Sequence, residues 1–162
     1  MQLTVRGASW LESLLMSVHI FYGSSTGTAE GAANAMFDVF AKAGSVELHD
    51  MMDGEIDALD PADFHVFSCA TYGEGELPAG STEFFEELLE AAPDLTGLRF
   101  AVFGLGDTIY VDTYNAAGKT IVKHLTGLGA TQVGERFEHD NSGTDDVDEK
   151  AVEWAEEIVG QI

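Results

Sequence analysis

The chain has 162 residues, 45% of them apolar, with seven basic side chains against 29 acidic ones and a formal net charge of −22. That length suits one domain able to bury a sizeable core, and the charge argues against nucleic acid or an anionic membrane as partner, since both would be repelled. A single cysteine, Cys69, excludes an internal disulfide, and no apolar run approaches the roughly 20 residues of a membrane span.

Residues 1–15 match poorly the strand and helix pattern of residues 16–162. The stretch 10–15 could form one or two helical turns, but it lacks the basic start, long apolar core and small-residue cleavage site of a signal peptide. Met16 and Ser17 directly precede the first strand. Met16 is therefore expected as the natural start, or residues 1–15 as a loosely held extension, with residues 16–162 forming a single domain.

Residues 18–22 (Val-His-Ile-Phe-Tyr) are a short β-prone run that stops at Gly23. Ser24, Ser25, Thr26, Gly27 and Thr28 come next, and Ala29 and Glu30 open an alanine-rich amphipathic helix over residues 29–43. A strand, a tight loop and a helix start bring backbone N–H groups, hydroxyls and the positive helix end to one point. Such a point suits a phosphate; an ordinary turn with a Ser/Thr cap is the alternative. A Walker loop is excluded, because no lysine or arginine lies between Arg6 and Lys42. The dinucleotide pattern G-x-G-x-x-G is missing here, and at Gly104-Leu105-Gly106 it fails at Ile109.

Residues 46–50 alternate as a short strand, and residues 51–63 form an acidic connection. Residues 65–70 are almost continuously apolar, as a strand covered on both faces should be; Cys69 is expected in the core. Thr71, Tyr72, Gly73, Glu74 and Gly75 then form a glycine-rich loop before a helix over 81–92. The next strand, 98–105, enters Gly106 and Asp107 and a loop with Tyr110 and Tyr114. A helix over 116–128, a last strand from 130 to 133 or beyond, and a closing helix over 144–159 complete the chain. Asp145, Asp146, Asp148 and Glu149 are well placed at the positive end of that last helix. Five strands alternating with helices predict an α/β fold with a parallel sheet covered on both faces.

The loops after strands 1, 3 and 4 have the unusual compositions. The first offers hydroxyls and N–H groups, and the other two offer flexible backbone with Tyr72 and Tyr110. One ligand meeting all three would carry a phosphate at one end and a flat hydrogen-bonding ring at the other, stacked between tyrosines. The five histidines show neither H-x-x-H nor H-E-x-x-H spacing, so a metal site is not expected. No constellation of acid, base and nucleophile points to substrate turnover.

These stretches, residues 22–30, 70–75 and 103–107 with Tyr110, resemble in order and spacing the flavodoxin-like FMN-binding family. The resemblance runs from about residue 18 to the C-terminus and is nearest to the FMN domains of diflavin reductases and their stand-alone relatives. It implies a flavodoxin-like doubly wound five-stranded sheet in the order 2-1-3-4-5, with the three loops at one edge. It further implies that Ser24, Ser25, Thr26, Gly27, Thr28 and Ala29 hold the FMN phosphate. Ala70, Thr71, Tyr72 and Gly73 would pass beside the isoalloxazine; Leu105, Gly106, Asp107 and Tyr110 would complete the pocket, with Tyr72 and Tyr110 on opposite ring faces. Relatives place an aromatic three residues after the position of Tyr110, whereas Tyr114 stands four on. The segment 137–141 is expected nearby, with no role assigned to Asp140.

The function implied is a monomeric electron carrier that shuttles single electrons between a flavin or iron–sulfur reductase and an acceptor enzyme. An FMN subunit of a split NADPH-dependent diflavin system is the second reading, and a flavin-free binding module the third. The single cysteine fits a reducing compartment, the cytoplasm, and the acidic surface predicts adaptation to high salt, as in a halophile.

Overall fold

A computed structural model describes residues 16–24, 26–72 and 74–162. The expectations for residues 1–15, Ser25 and Gly73 lie outside the described residues. Nearly continuous apolar runs in β1 (Ser17–Gly23), β3 (Phe64–Ala70) and β4 (Arg99–Gly106) drive the architecture. Both faces of these strands are buried, so nothing in them needs to be polar. With β2 (Ser45–Asp50) they form a parallel sheet in the order β2-β1-β3-β4.

Side chains of Val18, Ile20, Phe64, Val66, Ala101, Phe103 and Leu105 point to one face. There α1 (Thr28–Phe40) and α4 (Val147–Val159) cover them, with Met36, Phe40, Trp154 and Ile158 at the contact. Phe21, Phe67, Cys69, Phe100 and Val102 point the other way. They are covered by α2 (Ala79–Ala91) and α3 (Ala116–Gly127) through Phe84, Phe85, Leu88, Ile121 and Leu125. Cys69 is fully buried, as expected, and burial pushes its thiol up to about 12. A buried hydroxyl, Ser68 Oγ, donates to the carbonyl of Ala29 at 2.9 Å and ties the start of α1 to β3.

One element departs from the expected layout. The edge beyond β4 is made of two short pieces, β5 (Thr131–Gln132) and β6 (Phe137–Asp140), giving six strands among the described residues. β5 pairs with Arg99 and Phe100 at the start of β4, and β6 with residues from Phe103 to Gly106 at its end. Between them Gly134 has φ 67°, a left-handed conformation that breaks the extended run. The expected last strand stops at Gln132 for that reason, and the helix expected over 144–159 starts at Val147, after Asp146 caps it.

Register decides where the loops emerge. Gly23 pairs with Cys69 and Cys69 with Gly104, while Ala70 pairs with Leu105. Three strands thus end level, and their loops leave the same carboxyl edge.

Candidate functional site

The first loop is held by its own hydroxyls. Ser24 Oγ accepts from the N–H of Gly27 at 2.8 Å, and the Thr26 and Thr28 hydroxyls lie 3.4 Å apart. Gly27 has φ 90°, which a residue with a Cβ adopts only under strain, while the space around it is open. It stands as the N-cap of α1 with no side-chain cap. By contrast, α4 is capped by Asp146, whose carboxylate accepts from the N–H groups of Asp148 and Glu149 at 2.9 and 3.1 Å. Among the described residues, then, no side chain caps the first turn of α1 beside the hydroxyls of half-buried Ser24 and Thr28 and exposed Thr26, and that geometry accepts an anion.

The second loop is a tight bridge. Tyr72 N–H donates to the Glu76 carbonyl at 2.8 Å, and Glu76 N–H returns to the Tyr72 carbonyl at 2.7 Å. Thr71 joins it to the third loop: its N–H donates to the Leu105 carbonyl at 3.0 Å, and its hydroxyl accepts from Ala117 N–H at 3.2 Å. Gly75, at φ 98°, packs so closely that a Cβ there would stand 3.1 Å from Ala116 Cβ.

In the third loop, Asp107 turns the chain. Its carboxylate accepts from Ile109 N–H at 3.0 Å and its carbonyl from Tyr110 N–H at 3.0 Å. Asn115 is fully buried at φ 55° and donates through Nδ2 to the His139 carbonyl at 3.3 Å. A Cβ on Gly106 would come within 2.8 Å of Asn115 N, so only glycine fits this close approach.

A fourth segment joins these three. Asp140, at the end of β6, accepts at Oδ1 from Thr108 N–H at 3.1 Å, Ser142 N–H at 3.0 Å and Ser142 Oγ at 2.7 Å. Its Oδ2 accepts from Thr108 Oγ1 at 2.8 Å. The Ser142 and Thr108 bonds hold its carboxyl down at about 2. Tyr114 donates its hydroxyl to the Glu138 carbonyl at 3.3 Å; burial, then Asp140 and Glu138, push its phenol up.

Between the second and third loops lies a cavity of about 210 Å³ lined by Thr71, Tyr72, Asp107, Tyr110, Thr113 and Tyr114. The Tyr72 hydroxyl reaches out of it to accept from Thr26 N–H at 3.2 Å. The aromatic cavity and the hydroxyl loop are thereby continuous. Of the expected site residues, Thr71, Tyr72, Asp107 and Tyr110 line the cavity, with Tyr110 58% exposed. Ser24, Thr26, Gly27 and Thr28 form the adjoining loop, while Ala29, Ala70, Leu105 and Gly106 are buried behind it as scaffold. Thr113, Tyr114 and Asp140 were without an expected role. Their sequence signal was slight: a tyrosine one position out of register, and an aspartate after a four-residue strand too short to read.

The model of the flavodoxin family matches residues 20–154. NADPH–cytochrome P450 reductase of Homo sapiens is 35% identical over 96% of this chain, which corresponds to 24% of that protein. NADPH-dependent diflavin oxidoreductase 1 of Schizosaccharomyces pombe is 35% identical over 90% of this chain and 25% of its own length. The chain spans about a quarter of the length of these curated relatives. A C101A mutant of flavodoxin from Pseudomonas aeruginosa superposes with a TM-score of 0.80 at 27% identity, covering 90% of this chain and 97% of that one. Oxidised flavodoxin 1 from Bacillus cereus gives 0.80 at 26% identity, covering 90% and 99%.

Proposed function

This chain belongs to the flavodoxin family, and from that premise we propose that it holds one FMN across the three loops and passes electrons between protein partners. The observation that carries this reading is the continuity of the tyrosine-lined cavity with the first turn of α1, through the Tyr72 hydroxyl on Thr26 N–H. The residues present fit the group. At Thr26 an acceptor oxygen already sits on an amide that would face a phosphate, and three tyrosines are among the residues lining the cavity.

Ser24, Ser25, Thr26, Gly27, Thr28 and the N–H of Ala29 would bind the phosphate by hydrogen bonds and the helix field, without a cationic side chain. Tyr72 and Tyr110 would flank the ring system, with Tyr114 closing the rim. The backbone of Thr71, Gly73, Gly106 and Asp107 would supply hydrogen bonds along its edge, with Ala70 and Leu105 packed behind. When bound, FMN supplies reversible one-electron oxidation and reduction. The protein's work is to orient it, exclude water from the stacked faces and fix the loops; Asp140 does the last by holding Thr108 and Ser142. Among the described residues no helix is long and apolar enough to cross a membrane, and the partners we propose are proteins: a reductase as donor and an enzyme as acceptor.

A second reading places the chain as the FMN module of an NADPH-dependent diflavin reductase system. It is favoured by the 35% identity to reductases, above the 26–27% to the flavodoxin structures. Purification with a visible spectrum and FMN quantitation tests the common core of both readings. One FMN per chain is expected, and a colourless protein that takes up no added FMN would overturn it. A reductase that co-purifies stoichiometrically selects the second reading.

A further inference from the structure

Outside the loop cluster, parallel pairing gathers three histidines on the sheet face covered by α2. His19 of β1 lies opposite Glu47 of β2 and His65 of β3, and Phe21 opposite His49. His19 Nδ1 is 2.9 Å from His49 Nε2 and 3.5 Å from Glu47 Oε2, and His49 Nε2 is 3.7 Å from the same oxygen. We propose that His19 Nδ1, His49 Nε2 and Glu47 Oε2 form a binding site for one divalent transition-metal ion of the zinc type.

The argument is geometric. Zinc bonds to nitrogen and oxygen are about 2.0–2.1 Å long, which sets tetrahedral ligand atoms about 3.3 Å apart. The three edges of this triangle bracket that spacing, so an ion fits with no movement of the backbone. Two imidazoles and one carboxylate also match the ligand preference of zinc rather than of calcium or magnesium, which favour oxygen. The ligands are oriented from behind. His19 is 7% exposed, and its Nε2 lies 2.9 Å from Asp63 Oδ2. A carboxylate only accepts, so the proton stays on Nε2 and Nδ1 presents its lone pair to the ion. Asp63 is itself placed by Ser17 N–H, which donates to Oδ1 at 3.3 Å. The His49 ring is stacked on Phe21 at 4.6 Å and on His19 at 5.1 Å.

The bound ion replaces the proton between the two nitrogens; His49 then carries its proton on Nδ1, and both rings stay neutral. Glu47, 64% exposed at the side chain, closes the site from the solvent side and leaves a coordination position open to water. The site lies four residues along β1 from Gly23, about 13 Å from the loop edge, and the ion would clamp the edge strand β2 to β1.

Calorimetric titration of the holoprotein, stripped with EDTA and desalted, with Zn²⁺ in about 1 M KCl and excess Mg²⁺ tests this. The salt screens the acidic surface and Mg²⁺ fills oxygen-only sites. One equivalent of Zn²⁺ is expected to bind and to raise the melting temperature. His49→Gln and Glu47→Gln should each weaken binding at least tenfold, and Asp63→Asn by about 10–100-fold. Glu149→Gln, on α4 at the opposite sheet face, should leave it unchanged. No stoichiometric binding, or wild-type affinity in Glu47→Gln, overturns the site; that exposed position decides should His49→Gln fold poorly.

Discussion

Thr26 and Thr28 owe their proposed importance to one position, the uncapped first turn of α1, where their hydroxyls lie 3.4 Å apart. Hydrogen bonds to a charged phosphate contribute about 1–3 kcal/mol each. Thr26→Ala combined with Thr28→Ala should therefore weaken FMN binding by about 2–6 kcal/mol, measured by quenching of flavin fluorescence; unchanged affinity would place the phosphate elsewhere. Asp140 makes a prediction in acid. Its carboxyl is held at about 2 by Ser142 and Thr108, below the ordinary value near 3.9. The stabilisation of the 108–142 contact is complete above pH ~4 and fades as pH falls through about 2. The Asp140 carboxyl shift, tracked by NMR, should show that low midpoint, and a midpoint near 4 would refute it. Cys69 behaves oppositely: its thiol is raised to about 12 by burial, so iodoacetamide at pH 8 should label the unfolded chain and spare the native one.

At the scale of elements, the close approach of β4 to the 107–115 loop is the vulnerable joint. A Cβ on Gly106 would meet Asn115 N at 2.8 Å and Tyr114 Cδ2 at 3.2 Å. Backbone cannot yield as a side-chain tip can, so Gly106→Ala should cost about 1–3 kcal/mol and loosen Tyr114 with it. Paired thermal melts and FMN titrations should show both losses, and a neutral substitution would mean that the loop floats free of the strand. The strands themselves were legible. The unbroken burial from Val18 to Phe21, and the continuous burial of β3, arise from apolar patterning. The division of the last strand was not legible, because a two-residue and a four-residue piece carry too little pattern to distinguish from loop. The role of Asp140 stayed unassigned with it, although segment 137–141 was expected near the site.

Across the whole molecule, the excess of 22 negative charges dominates. On a sphere of about 20 Å radius it carries on the order of 50 kcal/mol of self-repulsion in water without salt. Screening reduces this to roughly 15 kcal/mol at physiological ionic strength and about half that near 1 M. Unfolding relieves only part of the repulsion, yet that part is large beside the total stability of about 5–15 kcal/mol. The melting temperature should climb steadily from low to molar KCl, and a flat profile would refute the expected adaptation to salt. Few cations offset the acids: among the described residues, the ion pairs formed by lysine or arginine are Arg136–Glu138 and Lys150–Glu153.

Amino-acid order alone determined the alternation of strand and helix, the three loop compositions and the acidic surface, because periodicity, glycine and charge act over a few neighbouring residues. Only tertiary structure decided that Asp140 holds the Thr108 turn, that Tyr72 reaches Thr26, and that His19 meets Glu47 and His49. Those contacts depend on strand register, which brings together residues some 30 or more positions apart. No spacing within one segment encodes that distance, since it is closed only when apolar faces on both sides of the sheet are buried at once.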